Sequence, residues 1–123
     1  MKKAIVSILF ITVLGICNGQ DCNDLPNSFK SYKAAITRIE GTEFLFTDKL
    51  PPNSSTWILS ADYYSCDNRI GFFIYSTAKG EEYIHQGVPI SIWKEFKSAR
   101  SKGSYYDYGI KGRYKLQLNS LFP

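Results

Sequence analysis

The chain has 123 residues, of which 44% are hydrophobic and 15% aromatic, and a formal net charge of +4. That length suits one domain with a modest core. No apolar run is long enough to span a membrane, and much of the basic character sits in Lys2 and Lys3 at the start of the chain, so it is not read as an affinity for nucleic acid.

Lys2 and Lys3 stand directly behind Met1, and Ala4 to Ile16 is uncharged and almost wholly apolar. A helix needs roughly 20 residues to cross a hydrocarbon core of about 30 Å; this shorter run has the length of a signal-peptide h-region. The small residues Cys17 and Gly19 occupy the −3 and −1 positions that a signal peptidase reads. The pattern predicts that residues 1–19 are a cleavable secretory signal, cut between Gly19 and Gln20, leaving the protein secreted or periplasmic. One alternative is an uncleaved buried helix. Another is a lipoprotein anchored through Cys17, but Ile16 stands where Gly, Ala or Ser is wanted.

Cleavage leaves 104 residues with thirteen basic and eleven acidic side chains, a net +2, because Lys2 and Lys3 leave with the signal. Cys17 leaves too, and Cys22 and Cys66 remain. An even pair in an oxidising compartment predicts a disulfide, the alternative being two free thiols. Two cysteines and a single histidine lack the paired spacing of a zinc site. No metal or other cofactor is expected.

Along the mature chain, Gln20 to Pro26 reads as an extended lead-in. Asn27 or Ser28 can cap a helix of about twelve residues in which Phe29, Tyr32, Ile36 and Ile39 recur at helical spacing, and Gly41 stops it. Glu43 to Asp48 is a short strand or extended link. Pro51-Pro52-Asn53-Ser54-Ser55 is a break. It divides an N-terminal helical extension, residues 20–54, from a core module, residues 55–118.

From Thr56 the chain turns strand-like, with Trp57, Leu59, Ala61 and Tyr63 expected on one face. Turns at Cys66-Asp67-Asn68 and at Lys79-Gly80 separate this strand from Ile70–Ser76 and Glu81–Gln86. Pro89 opens a helix whose buried face carries Ile92, Phe96 and Ala99, with Trp93 alongside and Gly103 as its stop. The tyrosine-rich tail ends on the alternating Tyr114, Leu116 and Leu118. The predicted class is α+β: a small twisted antiparallel meander packed against the C-terminal-side helix, with an extra N-terminal amphipathic helix.

Ser60 and Tyr63, the run Ile70–Ile74, and Glu82-Tyr83-Ile84-His85-Gln86-Gly87-Val88-Pro89 follow one another in an order that carries a resemblance. Ile92-Trp93 and Phe96, then Ala99-x-Ser101-x-Gly103, then Tyr105-Tyr106, Ile110 and Tyr114 continue it. This stretch resembles the KTSC domain, a module of about sixty residues named for the C-terminus of some lysyl-tRNA synthetases. The resemblance implies no established activity and a suggested role in RNA binding. His85 departs from the family's "Y-x-Y" pattern, keeping a ring while adding a titratable nitrogen.

His85 is the one histidine, yet no nucleophile elbow or phosphate loop accompanies it. An enzyme is therefore not expected. Residues 89–123 carry seven basic and two acidic side chains, while residues 20–88 carry six and nine. In the basic part, cations interleave with rings. The candidate ligand-binding residues are Tyr83, His85, Lys97, Arg100, Lys102, Tyr105, Tyr106, Lys111 and Arg113. Cations beside stacking rings suit single-stranded nucleic acid, and tyrosine surfaces equally suit proteins and glycans. A solvated helix face and a tyrosine-filled sheet edge give the same pattern. Export favours an exported, monomeric, non-enzymatic module that binds a protein or cell-envelope component. The alternative is a nucleic-acid binder.

Overall fold

The computed structural model describes residues 20–119; the expected signal at residues 1–19, with Cys17, lies outside them. β1 (Gln20–Asp21) pairs in parallel with β2 (Thr42–Glu43). Between them lie a short 3-10 helix, Cys22–Asp24, and helix α1, Tyr32–Glu40. β3 (Phe46–Lys49), β4 (Ile58–Ser65), β5 (Ile70–Thr77) and β6 (Glu82–Pro89) form one antiparallel sheet in that order. Helices α2 (Ile90–Ser98) and α3 (Lys102–Gly109) follow. The class is α+β, with a four-stranded rather than a three-stranded meander. The added strand, β3, pairs Phe46–Lys49 with Asp62–Ser65, so Pro51–Ser55 lies in the connection between two paired strands.

Strand side chains alternate between faces, and here both faces are buried. Tyr63, Phe73, Tyr75, Trp93, Phe96, Tyr105, Tyr106 and Ile110 form one core under α2 and α3. Ile74 and Ile84 pack from the other face against Ile36, Ile39 and Phe29. The sequence reading required only one covered face. The second cover is α1 with the C-terminal segment, whose Gln117 carbonyl accepts from Phe29 N at 2.8 Å.

Local chemistry sets the boundaries. α1 starts three or four residues later than the helical spacing suggested. Its N-cap is Ser31, whose Oγ accepts from Ala34 N at 3.0 Å, while Phe29 bridges to Leu118 instead. In β4 a register shift between Ile58 and Ser60 leaves Leu59 exposed and turns Ile58 into the core. A bulge adds a residue and resets the alternation, so Leu59 does not share a face with Ala61 and Tyr63. Pro89 closes β6 and is the N-cap residue of α2, where its missing N–H costs nothing.

Gly103 is no helix stop. It lies inside α3, and a Cβ there would meet Trp57 Cε2 at 2.9 Å and Nε1 closer still. The stop comes earlier, at Ala99, in extended conformation. Ser101 then caps α3 by accepting from Ser104 N at 3.1 Å. Ala99, Ser101 and Gly103 thus make a tight corner between two helices.

Cys22 and Cys66 form a disulfide with a Cα–Cα distance of 5.7 Å. It ties the N-terminal segment to the turn between β4 and β5. Ser65 and Asp67 organise that turn: Ser65 Oγ donates to Ile70 O at 2.6 Å, and Asp67 Oδ1 accepts from Arg69 N and Ile70 N.

Candidate functional site

An aromatic cleft lies where the β5–β6 hairpin meets α3. Tyr75 and Tyr83 are direct cross-strand partners, stacked with centroids 5.1 Å apart. Tyr106, from α3, sits 4.7 Å from Tyr75. Trp57, just before β4, meets both edge-on, at 6.2 Å and 6.1 Å. Its carbonyl accepts from Ala78 N at 3.0 Å, which fixes it beside the hairpin turn, and Gly103 leaves room for its indole. Together they form a cleft of about 470 Å³ with Lys79, Glu81, Asp107 and Lys111 at its rim. Tyr75 and Tyr106 are its buried floor; Trp57 and Tyr83, 37% and 41% exposed, are its walls.

His85 stands behind that floor. Its Nδ1 lies 3.3 Å from the Tyr114 carbonyl, and its Nε2 lies 3.0 Å from the Tyr106 hydroxyl. A carbonyl only accepts, so Nδ1 carries the proton and Nε2 accepts from Tyr106. Burial pushes the imidazole below its ordinary 6.5, with the Tyr114 hydrogen bond working the other way. The ring is therefore neutral at physiological pH. Burial, followed by a hydrogen bond with Tyr106, drives the Tyr75 hydroxyl strongly upward. The floor is uncharged but rich in polar handles.

Tyr83, His85, Tyr106 and Lys111 thus converge. The other sequence candidates do not join them. Lys97 donates to Asp48 Oδ2 at 2.8 Å, beside the Trp93 indole N–H that shares the same oxygen. Lys102 donates to the Ala99 carbonyl at 2.5 Å. Arg100 and Tyr105 line a separate shallow depression with Lys94 and Tyr108. The Tyr105 hydroxyl donates to Glu95 at 2.8 Å; burial first, then Glu95, pushes it up to about 12. Arg113 Nε donates to the Tyr108 carbonyl at 3.2 Å. At the cleft rim, two lysines face two acids, so the interleaved cations do not add up to one continuous basic track.

Trp57 and Tyr75 escaped the sequence reading as site residues. The signal for Tyr75 was available, because a short hairpin turn at Lys79-Gly80 places it opposite Tyr83. Trp57 had no comparable signal: its position depends on the bulge in β4 and on Gly103.

Among the described residues, no group of three or more His, Cys, Asp or Glu side chains could hold a metal ion. No described helix is long and apolar enough to cross a membrane.

The model of the KTSC domain family matches residues 54–114. A KTSC domain protein from Yersinia pestis, known from a crystal structure, is 32% identical. The match covers 60% of this chain and 99% of that one, with a TM-score of 0.48. No curated protein matches the chain.

Proposed function

The chain belongs to the KTSC domain family over residues 54–114, and from that premise we propose that it is an exported, non-enzymatic binding module whose ligand seats in the Trp57–Tyr75–Tyr83–Tyr106 cleft. One observation carries the reading: four rings from three separate chain segments converge, two buried and two half-exposed, around a cleft of about 470 Å³. Exposed aromatic walls over a satisfied polar floor suit a ligand that is partly apolar and partly hydrogen-bonding.

Two further features support it. The ring nitrogens of His85 are held by Tyr106 and Tyr114, which fixes the Tyr106 hydroxyl in the cleft floor and suits a positioning role. The Cys22–Cys66 disulfide is stable in the oxidising compartment to which residues 1–19 would direct the chain. The residues we assign to ligand contact are Trp57, Tyr83, Tyr106 and Lys111, with His85 positioning Tyr106.

Tryptophan fluorescence tests this directly. Trp93 is fully buried, whereas Trp57 is 37% exposed, so acrylamide quenching reports mainly on Trp57. A panel of oligosaccharides, peptides and oligonucleotides should yield a ligand that shields Trp57 and shifts the amide resonances of Tyr83, Tyr106 and Lys111. A ligand that instead perturbs only Lys94, Arg100 and Tyr105 would refute the assignment.

A further inference from the structure

The cleft opens directly onto the outer edge of β6, and that edge is only partly closed. Thr77 N donates to the Glu81 carbonyl at 2.9 Å, so Glu81, Tyr83 and His85 direct their backbone groups toward β5. Backbone groups alternate along a strand, which turns those of Glu82, Ile84 and Gln86 outward. Gln86 N is taken by the Tyr114 carbonyl at 3.1 Å. No backbone partner outside the sheet is found for Glu82 or Ile84 among the described residues.

The chain's own Tyr114 segment therefore closes one end of this edge and stops short of the other. Beyond it a second groove, of about 590 Å³, runs along the edge on the α1 side, lined by Tyr32, Ile84 and Lys115. Tyr83 borders both the groove and the aromatic cleft. The result is an unpaired strand edge with side-chain pockets on its two faces.

We infer that the ligand is an extended peptide, which pairs as an added strand with the outward backbone groups of Glu82 and Ile84. The inference rests on the cleft reading above and names its ligand class. A peptide residue opposite Tyr83 would place its side chain against the aromatic cleft, where an apolar or aromatic group fits. Its two neighbours would point into the Tyr32–Lys115 groove. Main-chain pairing gives such a complex its affinity, and the alternating pockets give it specificity. Lys79, Lys111 and Lys115 are balanced along this surface by Glu81, Glu82 and Asp107, which fits a peptide of mixed charge better than a uniform polyanion.

The test selects binders to the full mature chain from a phage-displayed library of random dodecapeptides and measures the best by calorimetry. Glu82→Pro deletes an outward N–H without touching the ladder to β5, and Glu82→Ala keeps that N–H while removing the charge. The proline variant should bind about tenfold more weakly than the alanine variant, the loss expected for one hydrogen bond whose partner is stranded. Independently of how Glu82→Pro folds, N-methylating the peptide residue by residue should weaken binding at alternate positions only.

Equal binding at every N-methyl position, with Trp57→Ala still abolishing it, would overturn edge pairing and leave the cleft reading standing. Alternating N-methyl losses with no effect of Trp57→Ala would support the edge and refute the cleft. A library that enriches nothing overturns the peptide as ligand. A dimer in sedimentation that Glu82→Pro dissociates makes a second copy the occupant, and so overturns the proposal as well.

Discussion

Asp48→Ala removes the one oxygen that the Trp93 indole and the Lys97 ammonium share, each at 2.8 Å. Trp93 is fully buried, and stranding its N–H costs about 1–3 kcal/mol. The Lys97–Asp48 pair is about one-third exposed on both sides, so its own contribution is about 0–1 kcal/mol. Asp48→Ala should therefore lose about 2–3 kcal/mol, Asp48→Asn about 1 because an amide oxygen still faces the indole, and Lys97→Ala less than 1. Urea midpoints at constant m-value measure all three. Burial alone would raise the Asp48 carboxyl, but hydrogen bonds from Lys97, Trp93 and the Lys49 amide hold it below 3.8. Its stabilisation is thus present above that pH and lost as the pH falls through the lowered value. A Lys97→Ala loss equal to that of Asp48→Ala would refute this ordering. The same variant decides a functional point: Lys97 is committed to the framework, so ligand binding should not change when it is removed.

Four further outcomes follow from the geometry. His85, depressed below 6.5 by burial, gives up its proton more readily folded than unfolded. Stability should be complete above pH 6.5 and decline as the pH falls, by at most about 1.4 kcal/mol per unit; a His85→Phe chain with the same slope would remove His85 as the cause. Gly103→Ala should force Trp57 outward, seen as stronger acrylamide quenching. Its overpacking cost of about 1–3 kcal/mol is partly offset by about 1 kcal/mol of helix propensity, and unchanged quenching would contradict the close approach. Replacing Cys22 and Cys66 by serine opens a loop of 44 residues, a loss of about 4 kcal/mol on the chain-entropy model. A loss below about 1 kcal/mol would show that the unfolded chain is not restrained this way. With short oligonucleotides, neutralising Lys97, Arg100 and Lys102 should leave the dependence of affinity on salt unchanged; a steep slope that flattens would bring back the polyanion reading.

Much of the fold was legible because it is written in local chemistry. The turns at Asp67-Asn68 and Lys79-Gly80, the proline before α2 and the paired cysteines each state their role in a few residues. Asn68 and Gly80 adopt positive φ, at 63° and 89°, as turn residues do. Features that depend on distant partners were not legible. Nothing near Gly103 reveals that Trp57 passes over it, nor near Leu59 that a bulge turns it outward. α3 was hidden by its own composition, since a helix built on Lys-Gly-Ser-Tyr-Tyr has little propensity and is held by Tyr105, Tyr106 and its Ser101 cap. For the candidate site, the partners of the cations are hidden for the same reason. Sequence shows that a lysine exists but not that Asp48 or the Ala99 carbonyl already holds it.

The histidine at position 85, where the resemblance implies a second aromatic, acquires a physical meaning at this point. A ring at position 85 packs 5.9 Å from Phe73 and parallel to Tyr75, which a tyrosine would also achieve. Only an imidazole can donate from one side of the ring and accept on the other. His85 uses both, toward Tyr114 and Tyr106, and so links the C-terminal segment to the floor of the cleft. The same Tyr114 carbonyl that His85 holds also caps Gln86 N on the β6 edge. With both sheet faces covered by helices, the edges are what remains for recognition. β3, at four residues, offers a short one whose Asp48 is already engaged. The β6 edge is bordered by rings and kept open over Glu82–Ile84 because His85 and Gln86 pin the closing segment no further along it.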